Sequence, residues 1–131
     1  MARTCSRAAF SMKVFGFYVV AIGTMFLVFP DMMHALANME PANVISRVFG
    51  LILIFLAYYY FRTARADKGM EPFFRATVHT RALAIFVLLV FMLLGFAGPL
   101  VVVFGLGDLA GAMWTSWALR KDARERDAAG V

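Results

Sequence analysis

The fold is decided by one apolar stretch, Ala82–Leu119, which reads ALAIFVLLVFMLLGFAGPLVVVFGLGDLAGAMWTSWAL. Asp108 is its only charged residue. A single α-helix over this stretch would be about 57 Å long, whereas the hydrocarbon core of a bilayer is about 30 Å thick. Gly98-Pro99 supplies a break, because proline cannot continue the helix that precedes it. The stretch therefore predicts two membrane-spanning helices joined by a tight hairpin.

The same signals, followed towards the N-terminus, predict two further spans. The first apolar segment stops at Pro30, and the next begins at Glu40-Pro41. The third span begins with a similar pair, Glu71-Pro72, and proline suits the first turn of a helix. The four predicted spans cover about residues 12–29, 41–62, 72–97 and 100–119. The chain is thus predicted to be a single transmembrane domain over residues 1–131, an all-α four-helix bundle.

Two segments outside the spans also carry a prediction. Residues 31–38 contain several apolar side chains and predict a short interfacial helix. Residues 120–131 alternate positive and negative charges, and we expect this cytoplasmic tail to extend the fourth helix before it frays.

The composition supports a membrane protein. Of the 131 residues, 63% are hydrophobic and 16% are charged, whereas soluble domains have about 45–50% apolar and about 25% charged residues. The net charge of +5 raises the question of nucleic acid, but the cations lie at the ends of apolar segments, so no nucleic-acid partner is predicted. The single cysteine, Cys5, excludes an intramolecular disulfide and a CxxC pair.

The distribution of lysine and arginine predicts the orientation. Twelve of the thirteen fall on one side of the four-span arrangement. They are Arg3, Arg7, Lys13, Arg62, Arg65, Lys68, Arg75, Arg81, Arg120, Lys121, Arg124 and Arg126. The exception is Arg47. Because positive charge is retained in the cytoplasm during insertion, both termini are predicted to be cytoplasmic.

Asp108 is the residue most expected to carry a function, because placing a carboxylate near the middle of a membrane has a high free-energy cost. Arg47 is the natural partner, since it lies only about 7 Å away along the membrane normal by helical rise. Tyr58 shares a helical face with Arg47 and would add a hydrogen bond. These three residues are predicted to form an intramembrane charge pair or a ligand site.

Three interpretations of this pair remain open. It forms a structural clamp that fixes helix register, a binding site for a lipid, quinone or other small amphiphile, or part of a proton or ion path. No cofactor is predicted outright, although a quinone or a lipid would fit the second interpretation. No catalytic constellation, metal-ligand spacing or phosphate-binding loop is apparent.

Two further groups of residues are predicted from their positions. Arg75, His79 and Arg81 open the third span near the headgroups, where they are expected to contact anionic lipid or, alternatively, to form a solvated interfacial face. Gly105, Gly107 and Gly111 lie on the fourth span, where small residues allow close packing of helices.

The chain resembles small bacterial DoxX-like membrane proteins in its four short helices, in Arg47-Val48-Phe49-Gly50, and in the run from Gly105 to Trp114. The resemblance implies a four-helix bundle in the bacterial inner membrane. Some members of that group are associated with quinone-linked sulfur redox chemistry, but this sequence has no thiol or metal constellation for it.

We expect an accessory or assembly subunit of a membrane complex without its own catalytic centre. The alternatives are a protein that binds lipid, quinone or another small hydrophobe, including a redox-linked DoxX-like subunit, and a proton, ion or solute transporter. Membrane lipids, a membrane-protein partner or a second copy of the chain are the expected partners.

Overall fold

The computed structural model describes residues 5–130, so Arg3 and the last residue of the tail lie outside the described part. This part of the chain is all-helical. Its helices are α1 (Arg7–Val28), α2 (Pro30–Leu36), α3 (Val44–Ala66), α4 (Glu71–Leu93) and α5 (Pro99–Ala128). By length and composition α1, α3, α4 and α5 can each cross a membrane. The predicted all-α architecture is confirmed, and four of the helices in the described part of the chain are long and apolar enough to span a membrane.

The helices begin where the sequence supplies N-terminal signals. The Ser6 side chain accepts a hydrogen bond from the Ala9 N–H at the start of α1. At the start of α3, the Asn43 side chain and Ser46 form a reciprocal capping box. This cap satisfies N–H groups that a helix end leaves free, so α3 begins at Val44, three residues after the proline at which the span was expected to begin.

The connection between α4 and α5 differs in detail from the predicted hairpin. α4 ends at Leu93, four residues before the predicted limit of the span, and Pro99 is the first residue of α5. Gly95 has a φ of +80°, a conformation that glycine adopts without steric cost. The chain therefore turns over residues 94–98, and the break begins at Gly95 as well as at Gly98-Pro99.

The predicted interfacial helix is present as α2, although it covers Pro30–Leu36. The tail is helical for most of its length, since α5 continues to Ala128. Arg7 forms ion pairs from α1 to this extension, with Nη1 3.6 Å from Asp122 Oδ1 and 2.7 Å from Glu125 Oε1. We call this end of the bundle the basic end and the opposite one the α2 end.

α1 is the central helix of the bundle. It packs against α3 along its length and also against α5, and α5 packs against α4. The α1–α3 crossing is closest at two glycines: a Cβ at Gly50 would lie 2.6 Å from the Gly23 carbonyl oxygen. In the described part of the chain, α3 and α4 make at most marginal contact. α1 and α3 therefore form a closely packed interface, which we call the α1–α3 seam. The space between α3 and α4, where the helices are not in close contact, is called the α3–α4 gap.

Candidate functional site: a cavity between α3 and α4

The gap between α3 and α4 leads into a cavity of about 680 Å³. Residues from all five helices line it, and most of them are apolar. Three lining residues of α3, Ile45, Phe49 and Leu56, are 70%, 45% and 37% exposed. The cavity is therefore open to the surroundings on the side of α3. Since α3 is long and apolar enough to cross a membrane, we expect those surroundings to be lipid.

Arg81 lies inside this cavity. The buried residues of α4, Phe74, Thr77, Arg81 and Ile85, follow one stripe of the helix, and Arg81 is only 4% exposed. Its Cζ lies 3.4 Å from the centre of the Phe15 ring and 5.4 Å from that of Tyr60. Cation–π contacts of this kind stabilise a desolvated guanidinium, but they leave its N–H groups without acceptors.

The hydrogen bonds of Arg81 are few and weak. Nη1 is 3.5 Å from Thr115 Oγ1, and Nη2 is 3.4 Å from Met12 Sδ, a poor acceptor. Thr115 Oγ1 already donates to the Gly111 carbonyl. Nε is buried and has no hydrogen-bond partner. Within residues 5–130 no carboxylate lies within ion-pair distance of Arg81. A buried cation without a strong acceptor costs free energy, which sets Arg81 apart from the other buried residues of α4.

Asp108 lines the same cavity from α5. It lies about 10 Å along the helix axis from Thr115, towards the α2 end. Its carboxylate is partly buried and, within the described residues, makes neither an ion pair nor a hydrogen bond. The cavity therefore holds a cation on α4 with only weak hydrogen bonds and a carboxylate on α5 with none among the described residues.

The structure does not bring Arg47 or Tyr58 to Asp108. Arg47 is exposed and its Nη1 donates to the Leu27 carbonyl oxygen at 2.6 Å, at the end of α1. Tyr58 is 59% exposed, and neither residue lines the cavity. The physical reason is the packing order: α3 lies against α1, whereas α5 packs against α4 and α1. Arg81, and not Arg47, is the arginine that lines the cavity together with Asp108.

The position of Arg81 also corrects the predicted interfacial group. Arg75 and His79 are exposed on α4, where they are free to meet lipid headgroups. They are four residues apart and share a face, whereas Arg81 is two residues beyond His79 and so lies about 200° around the helix. That rotation turns Arg81 into the bundle and away from the headgroups.

The three predicted packing glycines all lie at close approaches. A Cβ at Gly105 would lie 2.7 Å from Ile85 Cδ1 of α4, and one at Gly111 would lie 2.9 Å from Phe15 Cδ2 of α1. Gly107 faces the Tyr18 hydroxyl. Sequence reasoning missed the backbone contact of Gly23 with Gly50, because no GxxxG motif marks either glycine.

The α2 end of the cavity contains a polar side chain, His34, whose hydrogen bonds are made within the protein. His34 lines the cavity there, and its two ring nitrogens lie 2.6 Å from the Glu40 carbonyl oxygen and 2.8 Å from Ser46 Oγ. These contacts occupy both nitrogens, whereas Arg81 has only weak acceptors. A polar ligand group is therefore expected at Arg81 and Asp108 and not at His34.

Sequence reasoning also missed Phe15, Tyr60 and Thr115, which surround Arg81. One signal for them was present: Thr77, Arg81 and Ile85 recur every four residues, which is the spacing of one helical face. The stripe would have shown that Arg81 shares a face with core residues.

Comparison with known proteins finds no family model, no curated protein and no solved structure that matches this chain. The DoxX-like resemblance therefore stays a prediction.

Proposed function

We propose that this protein binds a small amphiphile within the membrane, in the cavity between α3 and α4. The observation that carries the proposal is Arg81, a guanidinium with only weak hydrogen-bond acceptors that lines a mostly apolar cavity together with Asp108. An oxygen atom of a ligand in the cavity would give this guanidinium a stronger acceptor. The apolar walls would cover the ligand's hydrocarbon, as in most small-molecule sites of this size.

The open gap between α3 and α4 supports entry from the bilayer. A lipid, a quinone or a similar small amphiphile reaches the cavity sideways without crossing water. This ligand class was the second interpretation of the sequence, and the site for it now centres on Arg81 and Asp108 in place of Arg47.

The cation distribution supports an orientation with both termini in the cytoplasm. Placement in a bacterial inner membrane rests on the DoxX-like resemblance. The accessory-subunit function, with a membrane-protein partner or a second copy, stays a prediction, because exposed apolar helix faces serve lipid and protein contact equally well.

The test is purification in a mild detergent, followed by native mass spectrometry of the protein with its retained small molecules. Three forms are compared: the unchanged protein, Arg81→Met and Arg75→Met. The first substitution removes the cation inside the cavity with little change in volume. The second removes an exposed cation of the same helix.

We expect the unchanged protein and Arg75→Met to retain a molecule of defined mass, and Arg81→Met to lose it. Empty, monodisperse protein in all three forms, also after incubation with bacterial lipid extract, would overturn the proposal. Equal retention by Arg81→Met would place the ligand elsewhere on the protein.

A further inference from the structure

The chemistry of the ligand head can be inferred from the two walls of the cavity, an inference that rests on the proposed function. Arg81 on α4 lines the cavity, presents only donors, and has only weak acceptors in the described part of the protein. Asp108 on α5 is a carboxylate that lines the same cavity without a hydrogen-bond donor among the described residues. A ligand head between them needs an acceptor on one side and a donor on the other.

The formal charges at this point cancel, with one cation and one carboxylate. An anionic head would meet Arg81 favourably but would be repelled by Asp108. An ammonium head would meet Asp108 but would be repelled by Arg81. In a cavity with apolar walls such repulsion is screened little, because the surroundings have a low dielectric constant. An uncharged head avoids both repulsions.

We propose that the cavity selects an amphiphile with an uncharged, hydroxyl-bearing head. An oxygen lone pair of the head accepts from the Arg81 guanidinium, and an O–H group donates to the Asp108 carboxylate. Both hydrogen bonds involve a charged protein group, and such bonds are stronger than those between neutral groups. The hydrocarbon tail lies along the apolar wall formed by Val19, Ile22, Leu53 and Leu88.

The size of the site agrees with this placement. Along α3 the lining extends from Tyr60 to Ile45, about 22 Å of helix. Arg81 and Tyr60 lie towards the basic end of the cavity and Asp108 lies further towards the α2 end, so a head that contacts both Arg81 and Asp108 leaves the part of the cavity nearest the α2 end for the tail.

The experiment measures equilibrium binding to purified protein in nanodiscs of zwitterionic lipid. The probes share one saturated chain and differ only in the head: a primary alcohol, a glycerol monoester, a fatty acid and an alkylamine. The protein is the unchanged chain, Asp108→Asn, and the control Asp127→Asn, which alters an exposed carboxylate of the same helix. Circular dichroism and gel filtration establish that the variants keep the fold.

We expect the alcohol and the monoester to bind at least about tenfold more tightly than the acid and the amine, since a like-charge contact in a desolvated site opposes binding. Asp108→Asn removes the carboxylate and leaves the cation, so the fatty acid should become the preferred probe. Asp127→Asn should leave the order unchanged. Which of the two uncharged probes binds better then separates simple alcohols from glycerol esters.

Tightest binding of the fatty acid or of the amine to the unchanged protein would overturn this inference and leave the proposed function standing. An order that does not change in Asp108→Asn would overturn the role of Asp108. Failure of every probe to bind, in the unchanged protein and in both variants, would overturn the proposed function itself.

Discussion

The α1–α3 seam and the α3–α4 gap lie on two sides of the same helix, and they differ in what fills them. At the α1–α3 seam two glycines bring backbone against backbone, and a Cβ at Gly23 would lie 2.8 Å from the Gly50 carbonyl oxygen. At the α3–α4 gap the helices diverge around a cavity that contains Arg81 and Asp108. Close packing supplies stability on one side of α3, and its absence on the other side leaves room for a ligand.

The largest expected effect comes from breaking the closed seam. Gly50→Val places a branched side chain against backbone atoms of α1, the nearest of which are 2.6 and 2.7 Å from the added Cβ. Backbone cannot move aside as a side chain can, so we expect a loss of about 3 kcal/mol or more in the free energy of unfolding.

Titration with a denaturing detergent measures this loss. Ala21→Val, on the exposed face of α1, is the control and should stay within about 0.5 kcal/mol of the unchanged protein. Equal stability of the two variants would mean that the seam is looser than the structure shows.

The second prediction concerns stability on the open side. Arg81→Met replaces a buried, poorly paired cation by an apolar side chain of similar length. Replacement of buried charges by well-packed apolar groups is often neutral or stabilising, so ligand-free Arg81→Met should be up to about 1–2 kcal/mol more stable. The same titration checks this on delipidated protein, and a clear loss of stability would show that Arg81 has a structural role.

The third prediction concerns ligand binding when part of the cavity at the α3–α4 gap is filled. Ala84 lines the cavity from α4, and Ala84→Phe fills part of it. We expect about a tenfold weaker binding of the retained amphiphile, because a hydrophobic site discriminates by about 1–3 kcal/mol for small changes in shape. Ala82→Phe adds the same ring to an exposed position outside the cavity and should bind normally. Competition against a labelled probe distinguishes the two.

The smallest expected effect is the interaction energy between Arg47 and Asp108, which should be close to zero in measurements of the free energy of unfolding. Arg47 is bonded to the Leu27 carbonyl oxygen and not to Asp108. Single substitutions of Arg47 and Asp108 by alanine, and the double substitution, should therefore add to within about 0.5 kcal/mol. A larger interaction energy would restore the charge pair that the sequence suggested.

The sequence predicted the architecture because length and hydropathy act locally. The Ala82–Leu119 stretch required two helices whatever their neighbours, and Gly98-Pro99 required a break. It also showed that Asp108 was costly. The sequence could not show which helix would face Asp108. The depth of a residue in the membrane follows from helical rise, whereas the direction in which its side chain points around the helix axis depends on how the helices pack together.

Arg47 and Arg81 illustrate that limit. Both lie in apolar helices, and counting residues along the membrane normal favoured Arg47. The decisive quantity was the rotation of α4 about its own axis, which the stripe of Phe74, Thr77, Arg81 and Ile85 fixes. The helical spacing of Thr77, Arg81 and Ile85, considered together with hydropathy, would have indicated that Arg81 faces the core.

The contacts between α1 and α5 have a consequence for how the protein is made. Ser11 and Thr115 lie 3.0 Å apart, although 104 positions separate them in the chain, and Arg7 pairs with residues further on still. Synthesis runs from the N-terminus, so α4 leaves the ribosome before α5 does. Until α5 packs against α1 and α4, Arg81 lacks its contact with Thr115. An arrangement of α1 to α4 without α5 would therefore contain a cation with even fewer acceptors, and the last helix is the one that completes the surroundings of Arg81.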